Sequence, residues 1–258
     1  MENNQFPTEI SLCLSGGAGR GAYHLGVISV LEENGIKIKA VSGTSIGALI
    51  GASLACGKSA AYIFEVMQSK EFRSVFQLSL GHGYLFKLNV NATVVNKLID
   101  KESFEALDIP LHVTACDVKN ESPIYYDSGK VFKEAVLASC SVAPLFSPVH
   151  VKDTLVVDGG LVDNFPVEQL QQYEYPIIGI NLFPKHKEVP KTILGWLKKN
   201  IHIAWQSKYT AKKELCDIYL CSEKLLNIKV FSFKNIDKAY ILGREDMEEV
   251  LSHSPYAV

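Results

Sequence analysis

The chain has no uninterrupted apolar run near the ~18 residues that a membrane-spanning helix needs, so no transmembrane segment is expected. It has no basic surplus either. Its 26 Lys and Arg stand against 28 Asp and Glu, a formal charge of −2. A nucleic-acid binder wants a basic footprint, and that class is set aside. The six cysteines, Cys13, Cys56, Cys116, Cys140, Cys216 and Cys221, form no Cys-x-x-Cys pair. Buried reduced thiols are expected from them, with no disulfide frame and no zinc site. Residues 1–7 have neither a basic start nor an apolar run. A signal peptide is therefore not expected, and a cytoplasmic location is. No repeat, low-complexity tract or composition break divides the 258 residues. One domain over 1–258 is the expectation.

What is present is a 47% hydrophobic, 21% charged sequence, able to bury a sizeable core. Residues 10–14 read as a strand, 16–21 as a glycine-rich turn, and 22–33 as a helix stopped at Asn34-Gly35. Residues 38–42 read as a second strand running into a second glycine-bearing turn and helix. Two such units predict a parallel sheet with right-handed crossovers. Further strands are expected over 111–116, 124–126, 177–182 and 216–221. Residues 149–151 and 154–157 are expected to pair as a hairpin across Lys152-Asp153. Helices are expected over 60–69, 91–100, 130–139, 191–213 and 237–252. Residues 70–90 are irregular, and read either as a flap over a cleft or as an ordinary packed loop.

Three stretches carry candidate chemistry. The first is Val41-Ser42-Gly43-Thr44-Ser45-Ile46-Gly47, in which Gly43 and Gly47 flank Ser45 as Gly-x-Ser-x-Gly. A serine on a sharp strand-to-helix turn needs small neighbours, and it sits at a helix N-terminus where N–H groups can steady an oxyanion. Alone, the motif also fits a turn with no chemistry. The second is the loop Gly16-Gly17-Ala18-Gly19-Arg20-Gly21. Its amides suit an oxyanion hole. A dinucleotide reading of Gly-x-Gly-x-x-Ala is disfavoured, because no acidic residue ends the second strand and no Walker lysine follows. The third is Asp158-Gly159-Gly160 after the apolar Leu155-Val156-Val157. The aspartate could cap its own turn, or it could serve Ser45 as a base if the site desolvates it. His186, His202 and His253 follow the serine. None lies in a tight glycine-bearing turn, and each reads better as a surface or packed residue than as a base.

Taken together, these stretches resemble the patatin-like phospholipase family. The likeness runs from Leu12 through Val27, across Gly43–Gly47, through 138–148, to Asp158-Gly159-Gly160. It covers about residues 10–183, with 184–258 as a generic continuation. It implies a three-layer α/β/α fold with a mainly parallel central sheet. It implies Ser45 as nucleophile and Asp158 as proton acceptor, a pair without histidine. Gly16, Gly17 and Ala18 would supply oxyanion amides, with Arg20 bracing the loop and Gly19, Gly21, Gly43, Gly47, Gly159 and Gly160 supporting the turns. The implied activity is hydrolysis of phospholipid or lysophospholipid esters through an acyl-enzyme. The sequence shows no metal-ligand cluster and no Ca²⁺ loop, so no metal and no cofactor are expected. One departure stands out. The family usually has a third glycine where this chain has Ala18, and a positive φ there would strain an alanine.

Two alternatives share these residues. One is a thioesterase or acyltransferase using the same pair. The other is a non-catalytic lipid-binding regulator that keeps the fold. Residues 191–213 also carry Ile193, Trp196, Leu197, Ile201 and Trp205 among Lys198, Lys199, Lys208, Lys212 and Lys213. That pattern fits a peripheral membrane helix. It also fits, and better, an amphipathic helix packed on the sheet with its lysines in water.

Overall fold

The computed structural model describes residues 6–78, 83–89, 93–231 and 236–253. Strand β1 (Glu9–Leu14) shows how the layers arise. Ile10, Leu12 and Leu14 belong to one apolar cluster, while Cys13 belongs to another. Successive side chains of a strand leave on opposite faces. A strand buried on both faces must lie between two covering layers.

The first face is covered by α1 (Ala22–Glu33) and α2 (Ile46–Ala55), with Tyr23, Leu25, Ile28, Leu31 and Ile50 fully buried. Each such aliphatic side chain contributes roughly 1.5–3 kcal/mol through burial. Phe165, Val167, Leu170 and Tyr209 cover the second face around Cys13 and Ala40. The outer helix α7 (Ile236–His253) lies against α1 at very short range. A methyl at Gly26 would come within 2.0 Å of the Tyr240 carbonyl oxygen, and one at Gly243 within 2.2 Å of that of Tyr23.

The sheet contains β2 (Lys37–Thr44), β5 (Leu111–Asp117), β6 (Ser122–Tyr126), β7 (Val149–Val151), β8 (Thr154–Asp158), β9 (Ile177–Ile180) and β10 (Ile218–Leu220) as well. Its order is β10-β9-β1-β2-β5-β8-β7, with β6 also on β5. The run from β10 to β5 is parallel, and β6, β7 and β8 join antiparallel. This is the three-layer, mostly parallel arrangement expected from the sequence. The hairpin across Lys152-Asp153 is present. The α1 boundaries match the sequence reading, and β2 extends two residues further, to Thr44.

Residues 70–90 hold more order than their sequence suggests. A short antiparallel pair, β3 (Phe76–Leu78) and β4 (Phe86–Leu88), stands apart from the main sheet. Phe86 N donates to Leu145 O and Ser147 N to Phe86 O, both at 2.9 Å, so the pair is tied to the segment before β7. Ser79 to His82 lie outside the described residues. After this pair come α3's sequel α4 (Thr93–Leu98) and then α5 (Phe132–Ser139), α3 itself being Ala60–Gln68. Asn91, the expected cap of the 91–100 helix, lies outside the described residues.

The long helix α6 (Ile193–Lys213) corrects one expectation. Its second half packs: Tyr209 is buried, and Lys212 Nζ reaches Asp163 and Glu168 at 2.7 Å each. The large apolar side chains of its first half do not. Ile193 is 92% exposed, and Leu194, Trp196, Leu197, Ile201 and Ile203 are each close to half exposed or more. The side chains of Lys198, Trp205 and Lys208 lie outside the described set. No helix among the described residues is long and apolar enough to cross a membrane.

Candidate active site

The parallel strands β1, β2 and β9 all end at one edge of the sheet, where ligands bind in open α/β folds. Strand β5 does the aligning there. Its Thr114 pairs with Thr44 of β2, and its next residue, Ala115, pairs with Asp158 of β8. The residue before Ser45 and the aspartate therefore meet consecutive positions of one strand. Two distant segments of sequence are held side by side by strand register alone.

Ser45 sits on the turn between β2 and α2 with φ 55° and ψ −126°. This left-handed φ is uncommon for serine, and it marks a strained turn held by its surroundings. The glycines make the turn fit. A methyl at Gly47 would lie 2.2 Å from the Leu14 carbonyl oxygen, and one at Gly43 would strike the Gly47 backbone at 2.6 Å. Ser45 N donates to Ser139 Oγ at 2.8 Å, and Ser139 Oγ donates to Thr114 O at 2.6 Å. Two residues on, Ser141 O accepts the Asp158 amide at 3.0 Å. The end of α5 thus fixes both the serine and the aspartate.

Asp158 is buried, and its two oxygens do different things. Oδ1 accepts from Gly160 N at 2.7 Å, so the carboxylate does cap its own turn. Oδ2 is buried without a hydrogen-bond partner of ordinary geometry among the described residues. Burial lifts the Asp158 pKa to about 6, against the opposing pulls of the Ser45 hydroxyl and the Gly160 amide. A carboxylate raised toward neutrality is a better proton acceptor at working pH than one at its ordinary value near 4.

The glycine loop runs against the serine. A methyl at Gly16 would lie 2.4 Å from Asn164 Oδ1 and 3.1 Å from Ser45 Cβ. Among the described residues, the amides of Gly16, Gly17 and Ala18 donate to no protein acceptor, whereas Gly19 N donates to Val230 O and Arg20 N to Gly17 O. Ala18 has φ 47°, so the position where the family usually has glycine is indeed left-handed, and the alanine is strained there. Arg20 is buried, its Nε on Ile228 O at 2.8 Å and a terminal nitrogen on Leu182 O at 2.9 Å.

Several supporting residues were not singled out from the sequence. His24 is fully buried, with Nε2 on Ser15 O at 2.8 Å. Burial lowers its pKa to about 4. A neutral ring facing a carbonyl must carry its hydrogen on Nε2, which anchors the start of the glycine loop. Asn164 Nδ2 donates to Tyr209 Oη at 2.9 Å, turning Oδ1 toward Gly16 and Gly160. Thr44 Oγ1 donates to Asp163 O at 2.9 Å, and Asp163 in turn receives Tyr125 and Lys212. The only signal for these in sequence is polarity next to a motif.

A cavity of about 90 Å³ opens at Ser45. Apart from Ala18, Ser45 and Cys140 its lining is apolar, including Leu49, Leu88, Leu98, Leu137, Phe146 and Phe231. Phe72, Val75 and Leu88 reach it from residues 70–90, so that stretch does cover a cleft. No histidine among the described residues lines it. Burial, then Asp158, raises the Cys140 thiol far above its ordinary pKa, so it stays protonated and is no rival nucleophile.

A strained serine between strand and helix, beside a buried carboxylate and unpaired loop amides, belongs to the elbow-bearing α/β class of folds. Within that class the chain belongs to the patatin-like phospholipase family, whose model matches residues 12–170. It is 29% identical over 174 residues to "Lysophospholipase nte1" of Aspergillus fumigatus, covering 63% of this chain and 11% of that protein. It is 26% identical to an uncharacterized NTE family protein of Mycobacterium bovis, covering 67% of this chain and 46% of that one. The chain thus spans about a tenth of the fungal relative and about half of the mycobacterial one. The crystal structure of VipD from Legionella pneumophila shares the fold, with a TM-score of 0.54 at 14% identity over 97% of this chain and 68% of that one.

Proposed function

We propose that this protein is a lipid acyl hydrolase that cleaves carboxylic esters of phospholipids or lysophospholipids with Ser45 as nucleophile. The observation that carries the reading is the buried, half-satisfied Asp158 carboxylate set beside the strained Ser45 turn. Asp158 takes the Ser45 proton as the hydroxyl oxygen attacks the ester carbonyl. The loop amides of Gly16, Gly17 and Ala18 receive the oxyanion. Collapse of the tetrahedral intermediate expels the alcohol, which recovers the proton, and leaves an acyl-serine. Water, deprotonated by Asp158, then releases the fatty acid. The apolar cavity at Ser45 suits an acyl chain. No histidine is required in this scheme.

The fluorophosphonate reaction tests the first half of the cycle. Wild type should label at Ser45 and release free fatty acid from a lysophospholipid. A regulator that only binds lipid would leave Ser45 unlabelled. An acyltransferase would move the acyl group to an added alcohol in preference to water.

The exposed apolar side chains on the first half of α6 suit peripheral contact with a lipid surface, with Trp196 and Leu197 in the headgroup region. Vesicle co-sedimentation of wild type against a Trp196→Ala/Leu197→Ala variant tests this. Equal binding by both would remove α6 as an anchor.

A further inference from the structure

A second and larger cavity, about 540 Å³, lies next to the first. The two share a wall. Ala18 and Phe231 line the Ser45 cavity, while Arg20 and Val230 line the larger one. Gly19 N, between the two, donates to Val230 O at 2.8 Å and joins the sides of that wall.

The lining of the larger cavity is one-sided in charge. Arg20, Lys191 and Lys199 bring fixed positive charges, and His186 and His202 add two ionisable rings. Glu188 is the one carboxylate among the described lining residues, and it stands 3.9 Å from His186 Nε2. Arg20 spends two of its nitrogens on backbone carbonyls, and Lys199 Nζ donates to the His186 carbonyl. Those partners are neutral, so they leave the net charge of the cluster in place. The His202 ring hydrogen-bonds the Pro184 carbonyl, yet its Nε2 is buried without a partner among the described residues. Burial first, then Lys199, His186 and Arg20, hold the His202 pKa below its ordinary value. Positive groups gathered in a partly enclosed cavity focus a field that draws an anion. A bound anion would let Nε2 become a donor and would offset the repulsion among the cations.

We infer that this cavity binds a phosphate group, and that this phosphate is the headgroup phosphate of the lipid cleaved at Ser45. The second part rests on the hydrolase reading given above; the first does not. Phosphate suits the site better than a fatty-acid carboxylate for two reasons. Arg20, His186 and the 191–202 stretch bring Arg, Lys and His groups from three separate segments, which matches a group with several charged oxygens. The carboxylate product, moreover, arises at Ser45 in the apolar cavity, on the other side of the shared wall. The glycine loop would then read the ester on one side and the phosphate on the other, which favours phospholipids over neutral glycerides.

The test has a binding arm and a kinetic arm. The binding arm titrates inorganic phosphate and glycerol 3-phosphate into wild type and a Lys199→Met/His202→Gln variant by calorimetry at low salt. The kinetic arm compares kcat/KM for an oleoyl lysophospholipid with that for monooleoylglycerol in the same two proteins. The expected result is binding of glycerol 3-phosphate that weakens about tenfold in the variant, with the lysophospholipid-to-glyceride ratio falling by a similar factor. The Lys199→Arg single variant should keep both near wild type, which separates loss of charge from loss of structure. Phosphate binding with an unchanged substrate ratio would overturn the headgroup assignment and leave a site for free phosphate. Absence of phosphate binding to a folded wild-type protein would overturn the site itself. Loss of all ester hydrolysis with phosphate binding intact would overturn the hydrolase reading and not the site.

Discussion

The hydroxyl of Ser139 accepts the amide hydrogen of Ser45 at 2.8 Å while giving its own hydrogen to Thr114 O at 2.6 Å. One buried hydroxyl thereby locks the strained serine turn to the strand that also pairs with Asp158. Ser139 is a positioning residue in this arrangement. Ser139→Ala leaves Ser45 N and Thr114 O without that partner, at a cost of about 1–3 kcal/mol. The expected outcome is a lower melting temperature together with a fall in kcat that exceeds any rise in KM. Unchanged kcat in a folded variant would show that the turn holds without this bond.

The pH profile follows from the burial of Asp158. In the proposed reaction, proton transfer from Ser45 needs the carboxylate free, and burial lifts its pKa to about 6. The rate measured as kcat/KM should therefore rise through about pH 6 and level off above pH 7. A profile governed by an ordinary carboxylate would already be flat at pH 5. Stopped-time hydrolysis of a soluble ester between pH 4.5 and 8.5 distinguishes the two.

The same burial makes a stability prediction of opposite sense to activity. Asp158 holds its proton more tightly in the native state than in the unfolded chain. Its contribution is therefore most favourable at low pH and is lost as pH rises from about 4 through about 6. At pH 8 the ionised carboxylate destabilises the fold, on the order of 1–3 kcal/mol. Asp158→Asn should raise the melting temperature by a few degrees at pH 8, with a smaller gain at pH 4.5. Thermal denaturation at both values checks the sign.

Much of the layout was legible in the sequence. The turn glycines around Ser45, the loop at 16–21 and the Asp158-Gly159-Gly160 turn are local signals, and helix α1 announces its own end at Asn34-Gly35. What the chain does not display locally was missed. Ser139, Asn164 and Tyr209 matter through contacts between segments far apart in sequence, and a serine at the end of a helix looks like any other. The short β3–β4 pair has too few residues to show alternation. The apolar stripe of α6 suggests packing in the sequence because periodicity reports a stripe and not what covers it.

Ala18 offers a test of the loop. Its φ of 47° suits glycine better than alanine. Relief of that strain is worth roughly 1 kcal/mol, partly offset by the greater freedom of glycine in the unfolded chain. Ala18→Gly should therefore keep its activity and match or slightly exceed wild type in melting temperature. A large loss of activity would mean that the methyl group itself shapes the Ser45 cavity it lines.

The pairing of Ser45 with Asp158 is tested most directly by lysophospholipid hydrolysis in Ser45→Ala and Asp158→Asn proteins whose fold is verified by circular dichroism. Each variant should lose on the order of a thousandfold or more in kcat. Wild-type turnover by a folded Asp158→Asn protein would contradict a serine activated by this aspartate.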